Sequence, residues 1–309
     1  MSEWITARTV RVFQVDAFTD TRFAGNPASV VLDAERLGEA EVRGLAGEIG
    51  HGDCAFVYPS EGADHDLRLR FFTPRGESAF IGHATLAAHA ALLAHAPPGT
   101  RRVLRQQQRS GIVEITAEST TTGARAAIRM APPPLGAPLA PAALAAVLAA
   151  LGLDTTDLDP VCPARIAGSG STRALIGIAD GARLATLRPD LGELARLSAA
   201  GGVPGYFVFS RRPALAGCDT EARMFCPAIG IDEDPVSGNA HAMLGAYLLE
   251  QGLLPVRGAR AGFSGTQGHH LGRPGRVEVG LELESGRLVA AEIAGEAVIV
   301  VEGTAKLPA

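Results

Sequence analysis

The sequence predicts an α+β protein of two pseudo-symmetric lobes, each a set of strands around one enveloped helix. Three observations predict it. The first is an internal repeat: RFFTPRGESAFIGHATLAAHAALL (Arg70 to Leu93) is echoed by RMFCPAIGIDEDPVSGNAHAMLGAYLLEQ (Arg223 to Gln251). Arg70-Phe71-Phe72-Thr73-Pro74 matches Arg223-Met224-Phe225-Cys226-Pro227, Gly82-His83-Ala84 matches Gly238-Asn239-Ala240, and Leu92-Leu93 falls in register with Leu248-Leu249. Two copies of a unit in one chain mean two related lobes, too few for a solenoid. The second observation is that both repeated helices are apolar on nearly every face, which a helix can only be when it is buried all round. The third is the number of short alternating runs between turn signals, the mark of strands with one buried face.

In chain order, Val10 to Asp16 alternates as a strand, and Phe23-Ala24-Gly25-Asn26-Pro27 is a turn, since Asn-Pro favours turn initiation. Val30 to Leu32 is a second strand and Glu39 to Ile49 has helical spacing. Ala55 to Tyr58 is a short apolar strand, and Leu67 to Thr73 alternates. The first buried helix starts at His83 and ends by His95, before Pro97-Pro98. Gly111 to Thr116 and Ala124 to Met130 are strands. Ala131-Pro132-Pro133-Pro134 is a stiff run that marks a lobe boundary. It gives lobes at 1–130 and 131–295, with a last strand at 296–305 returning to the first. Pro141 opens an Ala/Leu helix at a tolerated first-turn position. Asp190 with Glu193 resembles a capping pair before a helix to Ala200. Gly205 to Ser210 is a strand that precedes the second repeat. Arg276 to Leu283 and Arg287 to Ile293 form a hairpin around Ser285-Gly286, and Ala297 to Val301 is the last strand.

Composition narrows the functional classes. The chain has 309 residues, 47% apolar and 20% charged, as expected of a globular protein with a full core. A net charge of −5 with no basic face speaks against nucleic acid as a partner. No run is long enough to span a bilayer, and the N-terminus lacks an apolar signal core, so no membrane association is expected. The four cysteines (Cys54, Cys162, Cys218, Cys226) have no metal-ligand spacing. They read as reduced thiols of a cytoplasmic protein. The sole lysine, Lys306, lies near the C-terminus, which argues against a Schiff-base lysine. There is no phosphate-binding loop, and Gly168-Ser169-Gly170 lacks the third glycine of a dinucleotide fingerprint. There is also no nucleophile elbow. No metal or cofactor is expected.

The candidate chemistry lies at the helix starts and one strand entry. Asp53 precedes the apolar strand Ala55-Phe56-Val57, where one-sided desolvation raises a carboxyl pKa into the range of proton exchange. A backbone-capping aspartate fits the same position. His83 opens a buried helix, and the positive dipole end favours its neutral form; a packed structural histidine is the plainer alternative. Asp234, in Asp232-Glu233-Asp234-Pro235, is either a solvated turn or a side chain fixed by Pro235 and the helix that follows. Gly82 and Gly238 leave room for an anion to approach free N–H groups at a helix start.

Together these segments resemble the phenazine-biosynthesis PhzF-like family, within the diaminopimelate epimerase-like fold. The resemblance rests on Val15-Asp16-Ala17-Phe18-Thr19 through Asn26-Pro27, Phe72-Thr73-Pro74 with Gly82-His83-Ala84-Thr85-Leu86-Ala87, Glu233 to Ala240, and Gln267-Gly268 with Gly272-Arg273-Pro274. It implies two lobes, each a mostly antiparallel β-barrel around a central helix, with a site between them. It also implies a homodimer and a cofactor-independent isomerase that moves a proton on a small carboxylate-bearing substrate. The family's base is a glutamate in a Ser-Glu-Thr-type segment, where this chain reads Gly52-Asp53-Cys54. The side chain is thus about an ångström shorter. The family's Thr-Gly-Ser serine is Asn239 here. Carried over by position, Asp53, His83 and Asp234 are catalytic, and Asn26, Gly82, Gly238 and Asn239 bind substrate. Two rival readings stand beside this one. The first is a non-catalytic small-acid-binding or scaffold protein on the same fold. The second is a thiol racemase, which is disfavoured because neither helix start carries a cysteine.

Overall fold

The protein is described by a computed structural model covering residues 8–49, 52–73, 75–168 and 171–308. Expectations that touch the N-terminal segment, His51, Pro74 or Ser169-Gly170 lie outside the described residues. The chain divides into two compact units, Met1–Ile128 with Gly295–Ala309, and Arg129–Ala294. In chain order the first part carries β1 (Thr9–Ala17), β2 (Asn26–Leu32), α1 (Glu39–Ile49), β3 (Asp53–Pro59), β4 (Leu67–Thr73), β5 (Gly76–Ser78), α2 (Gly82–Leu92), β6 (Arg101–Gln108), β7 (Gly111–Ser119) and β8 (Gly123–Met130). There follow β9 (Leu135–Pro138), α3 (Pro141–Leu151), β10 (Arg165–Ala167), β11 (Arg173–Ile178), α4 (Ala182–Thr186), α5 (Leu191–Gly201), β12 (Tyr206–Ser210), β13 (Thr220–Cys226), β14 (Ile231–Asp234), α6 (Gly238–Glu250), β15 (Arg260–Gln267), β16 (Gly275–Glu284) and β17 (Arg287–Lys306).

In the first unit eight strands close into a barrel. The pairing runs from β1 through β2, β3, β4, β6, β7 and β8 to the end of β17, which returns to β1. Helix α2 packs on β1, β2 and β3, with every residue from Ala84 to Ala91 buried. Alanine is the strongest helix former and brings no bulk, so this helix fits where a Leu-rich one would force the strands apart. On the outer face, Cys54, Phe56 and Tyr58 of β3 and Phe72 of β4 pack against Val42 and the partly buried Leu45 and Ile49 of α1. Side chains alternate along a strand. Asp53, Ala55 and Val57 therefore point to the opposite face of β3, the one that carries α2.

The second unit repeats the connectivity. β11 and β12 run parallel, as β2 and β3 do, and β13 and β15 run parallel, as β4 and β6 do. β14 pairs antiparallel with β13, as β5 does with β4. β13 covers the positions that the repeat aligns with β4, and α6 starts at the glycine aligned with the start of α2. Helix α6 is buried from Ala240 to Leu248 against β15 and β16. Outside the strands, Val147, Leu148 and Leu151 of α3 and Leu194 of α5 build a second apolar layer with Ile176, Val208 and Phe225.

Several elements differ from the expectations. The turn expected through Asn26-Pro27 ends at Gly25, and Asn26 already belongs to β2; proline is tolerated at the beginning of a strand. The strands expected at 287–293 and 297–301 are one strand, β17, because Gly295 does not break the pairing. The hairpin before it is as expected, with Ser285 and Gly286 both at positive φ, the turn that matches strand twist. β5, β6, β9, β10, β11, β14 and β15 were not legible. β11 is buried at all six positions and so has no alternation, while β15 (RAGFSGTQ) carries two glycines, a residue depleted from strands. Asp190 does cap α5, accepting from the Glu193 N–H. Among the described residues no helix is long and apolar enough to cross a membrane.

Candidate active site

In the first unit Asp53 is the opening residue of β3 and His83 the second residue of α2. His83 Nε2 lies 3.4 Å from Asp53 Oδ2, with the side chains 13% and 22% exposed. Burial pushes the Asp53 carboxyl up to about 6. At pH 7 such a group is about nine-tenths ionised, and its conjugate acid is still strong enough to return the proton, which suits a general acid/base. No side chain caps α2, because its N-cap is Ile81. The helix start at Gly82 and His83 therefore keeps its electropositive character. Asn26, 6% exposed, stands two residues before Ala28, the register partner of Asp53. It thus lies on the face of β2 that continues the Asp53 face of β3. The turn leading to it is held by Asp16, whose Oδ2 accepts the Phe23 N–H at 2.7 Å. The aspartate of the Val15-Asp16-Ala17 segment is thereby a structural clamp.

In the second unit Asp234 ends β14, and Gly238 and Asn239 are the first residues of α6. Ser237 caps this helix, its hydroxyl accepting from the Ala240 N–H at 3.3 Å. Gln267, 1% exposed, spans the turn: Oε1 accepts from the Ser237 N–H at 3.1 Å and Nε2 donates to the Asp234 carbonyl at 2.6 Å. Gly268 must be glycine, since its φ is +88° and a Cβ would stand 2.2 Å from the Arg273 carbonyl oxygen. The C-terminal Gln267-Gly268 segment thus fixes where Asp234 and the start of α6 stand.

One device in both units escaped the sequence reading. Arg70 makes a bidentate pair with Glu77 (2.8 Å twice), and Arg223 makes the matching pair with Glu233 (2.9 and 2.7 Å). Each guanidinium also lies over the phenylalanine two residues on, Phe72 or Phe225. Planar, two-point pairs of this kind are geometrically specific. Each ties a strand to the short strand that feeds the central helix. In Asp232-Glu233-Asp234, Glu233 is therefore consumed by structure. The signal was available, because the repeat aligns Glu77 with Glu233 as it aligns Arg70 with Arg223. The chemistry is not repeated. By strand register the position of Asp53 falls on Gly205 in the second unit, and that of Asp234 on Ser78 in the first.

The thiols are poor nucleophiles here. Burial, with the Asp53 charge beside it, pushes Cys54 far above the ordinary thiol range. Burial carries Cys226 up to about 12 and Cys162 up to about 11. Cys54, although next to Asp53, points into the outer apolar layer. The buried histidines of the central helices are held neutral, His89 and His241 each falling to about 4 through burial.

Comparison with known proteins leads to an isomerase class, the name its curated relatives carry. The chain belongs to the phenazine biosynthesis-like (PhzC-PhzF) family, whose model matches residues 15–303. It is 37% identical over 290 residues to "Uncharacterized isomerase YddE" of Escherichia coli O157:H7, covering 94% of this chain and 96% of the relative. A solved phenazine biosynthesis protein of the PhzF family from Bacillus anthracis superposes with a TM-score of 0.84 at 27% identity, covering 97% of this chain and 100% of the other. The fold extends to a hydroxyproline epimerase from Agrobacterium vitis, with a TM-score of 0.61 at 15% identity, covering 99% of this chain and 94% of that one.

Proposed function

We propose that the chain is a cofactor-independent isomerase that shifts a proton on a small carboxylate-bearing substrate, with Asp53 as the proton carrier. The observation that carries this reading is the Asp53 carboxyl, held near pH 6 by burial and 3.4 Å from His83. Ionised Asp53 takes a proton from an activated C–H, the double bond shifts along the substrate, and the carboxylic acid so formed returns the proton to a second carbon. His83 holds the carboxylate and directs its free oxygen. The N–H groups at Gly82 and His83 favour the charge that develops on the substrate as the C–H bond breaks. Asn26, Gly238 and Asn239 serve in substrate binding, and Asp234 assists proton transfer, as their places in the family segments imply. The protein works as a homodimer in the cytoplasm.

The relatives named isomerases support the reaction class, and the raised carboxyl supports the assignment of the base. Aspartate in place of the family's glutamate supports a substrate whose reactive carbon sits about an ångström closer to β3. The test is deuterium incorporation from D2O into a panel of unsaturated and hydroxylated small carboxylic acids, read by mass spectrometry. At least one acid should exchange with wild type and not with Asp53→Asn. Exchange that persists in Asp53→Asn removes Asp53 from the role.

A further inference from the structure

Each unit has the same fork in its sheet, and the two forks carry opposite charge. In the first unit β4 pairs with β6 through Leu67 and Arg68, and with β5 through Phe71, Phe72 and Thr73. Arg68 lies beside Gln107 of β6. In the second unit β13 divides in the same way between β15 and β14, with Glu221 beside Thr266 and Met224 opposite Asp234. The repeat therefore aligns Arg68 with Glu221, Glu77 with Glu233 and Arg109 with Gly268. An acid and a glycine of the second fork are both arginines in the first.

The connections beyond the forks differ as well. Residues 268–274 join β15 to β16. They bring His269 Nε2 to 2.8 Å from Thr266 Oγ1 and set His270 near Arg223, Glu233 and Glu221. Arg109 and Ser110 alone join β6 to β7. So short a turn has no residue in the place of His270, and a cleft of about 140 Å³ remains, lined by Arg68, Arg70, Glu77, Gln107 and Arg109 among others. Three arginines against one glutamate make this lining positive in a chain of net charge −5. Arg70 is held on both sides, by Glu77 and by Glu39. Arg68 gives Nη2 to Glu61, whose side chain is 66% exposed. Among the described residues Arg109 makes no ion pair and the Gln107 side chain no hydrogen bond. Glu77 is already engaged, held below the ordinary carboxylate range chiefly by hydrogen bonds from Arg70, with Arg109 adding a smaller effect. Donors that converge on a concave site, with positive charge left over, suit an anion.

We propose that this cleft is a second ligand site of the chain, one that takes a phosphate group on Arg68, Arg109 and the Gln107 amide. One guanidinium satisfies the two oxygens of a carboxylate, whereas a phosphate offers further oxygens to a second arginine and an amide. The site is separate from the proton-transfer carboxylate. Cys54, the register partner of Phe72, shares the face of Arg68 and Arg70, and Asp53 lies on the other face of the sheet. All the lining residues belong to the first unit. The proposal does not rest on the isomerase reading.

The experiment titrates inorganic phosphate into wild type, Arg109→Gln and Arg109→Glu by isothermal calorimetry, with acetate and chloride as controls at matched ionic strength. Arg109 is exposed, so both variants should melt at the wild-type temperature. Phosphate should bind wild type saturably and more tightly than acetate. Arg109→Gln should weaken phosphate about tenfold or more, as for loss of a hydrogen bond to a charged group, and Arg109→Glu should abolish binding. In 1H–15N spectra of wild type the Arg68 and Arg109 Nε–H signals should shift along the same saturation curve, a readout that does not depend on the variants' stability. Phosphate binding no stronger than that of chloride or acetate overturns the proposal. So does an affinity unchanged in both variants, the result expected if phosphate sits at the helix starts, or arginine signals that stay in place as phosphate saturates. The readout is binding, so its failure is distinct from failure of deuterium exchange, which reports on the isomerase reading alone.

Discussion

Asp53→Asn should make the protein more stable, and the effect should depend on pH. Burial moves the Asp53 carboxyl from 3.8 in the unfolded chain to about 6 in the folded one. Between those values the folded protein binds more protons than the unfolded one, so this group makes stability fall as pH rises. Above pH 7 the loss is complete, and at ~1.4 kcal/mol per pH unit it amounts to roughly 3 kcal/mol. With the side chain 22% exposed, partial hydration and the His83 contact bring the net cost to about 1–3 kcal/mol. Asparagine keeps the shape and a polar contact to His83 and carries no charge. Its advantage should reach the full ~1–3 kcal/mol above pH 7 and vanish below about pH 3, where aspartate is protonated in both states. In a chain of this length that is about 2–5 °C in melting temperature. Scanning calorimetry or chemical denaturation of both proteins from pH 3.5 to 8 reads the difference directly. A variant no more stable than wild type at pH 7.5, or an offset that does not change with pH, would refute the burial argument and with it the tuned base.

Two further outcomes follow from the same geometry. Arg223→Met strands Glu233 in a buried site and should cost about 3–5 kcal/mol, whereas replacing both residues by apolar ones should recover much of it; urea denaturation of the single and double variants separates pair from packing. Once an exchanging substrate is in hand, the exchange rate per active site should rise with pH through about 6, following the ionised form of Asp53, and a profile flat from pH 5 to 7 would exclude this carboxylate as the base.

The α+β character was legible because the repeat places the two apolar helices and the strands before them, and β4, β13, α2 and α6 fall where it puts them. What was not legible had no local pattern to show. β11 is buried throughout because it is covered on both faces, and β15 is glycine-rich. The long β17 crosses a glycine that reads as a break. Of the site, the entry of Asp53 into a core strand and the helix start at His83 could both be read, but not their contact, which depends on how α2 sits against β3. The roles of neighbouring acids were hidden for a different reason. Asp232-Glu233-Asp234 looks like one acidic turn, and only the position of Arg223 shows that its middle member is structural.

The most direct test of the central claim needs no substrate. The carboxyl carbon of Asp53, observed by NMR in selectively 13C-labelled protein and assigned with Asp53→Asn, should titrate near pH 6, well above the exposed aspartates in the same spectrum. A titration below pH 4.5 would mean that water reaches the carboxylate freely, and the proton-transfer role assigned to it would be wrong.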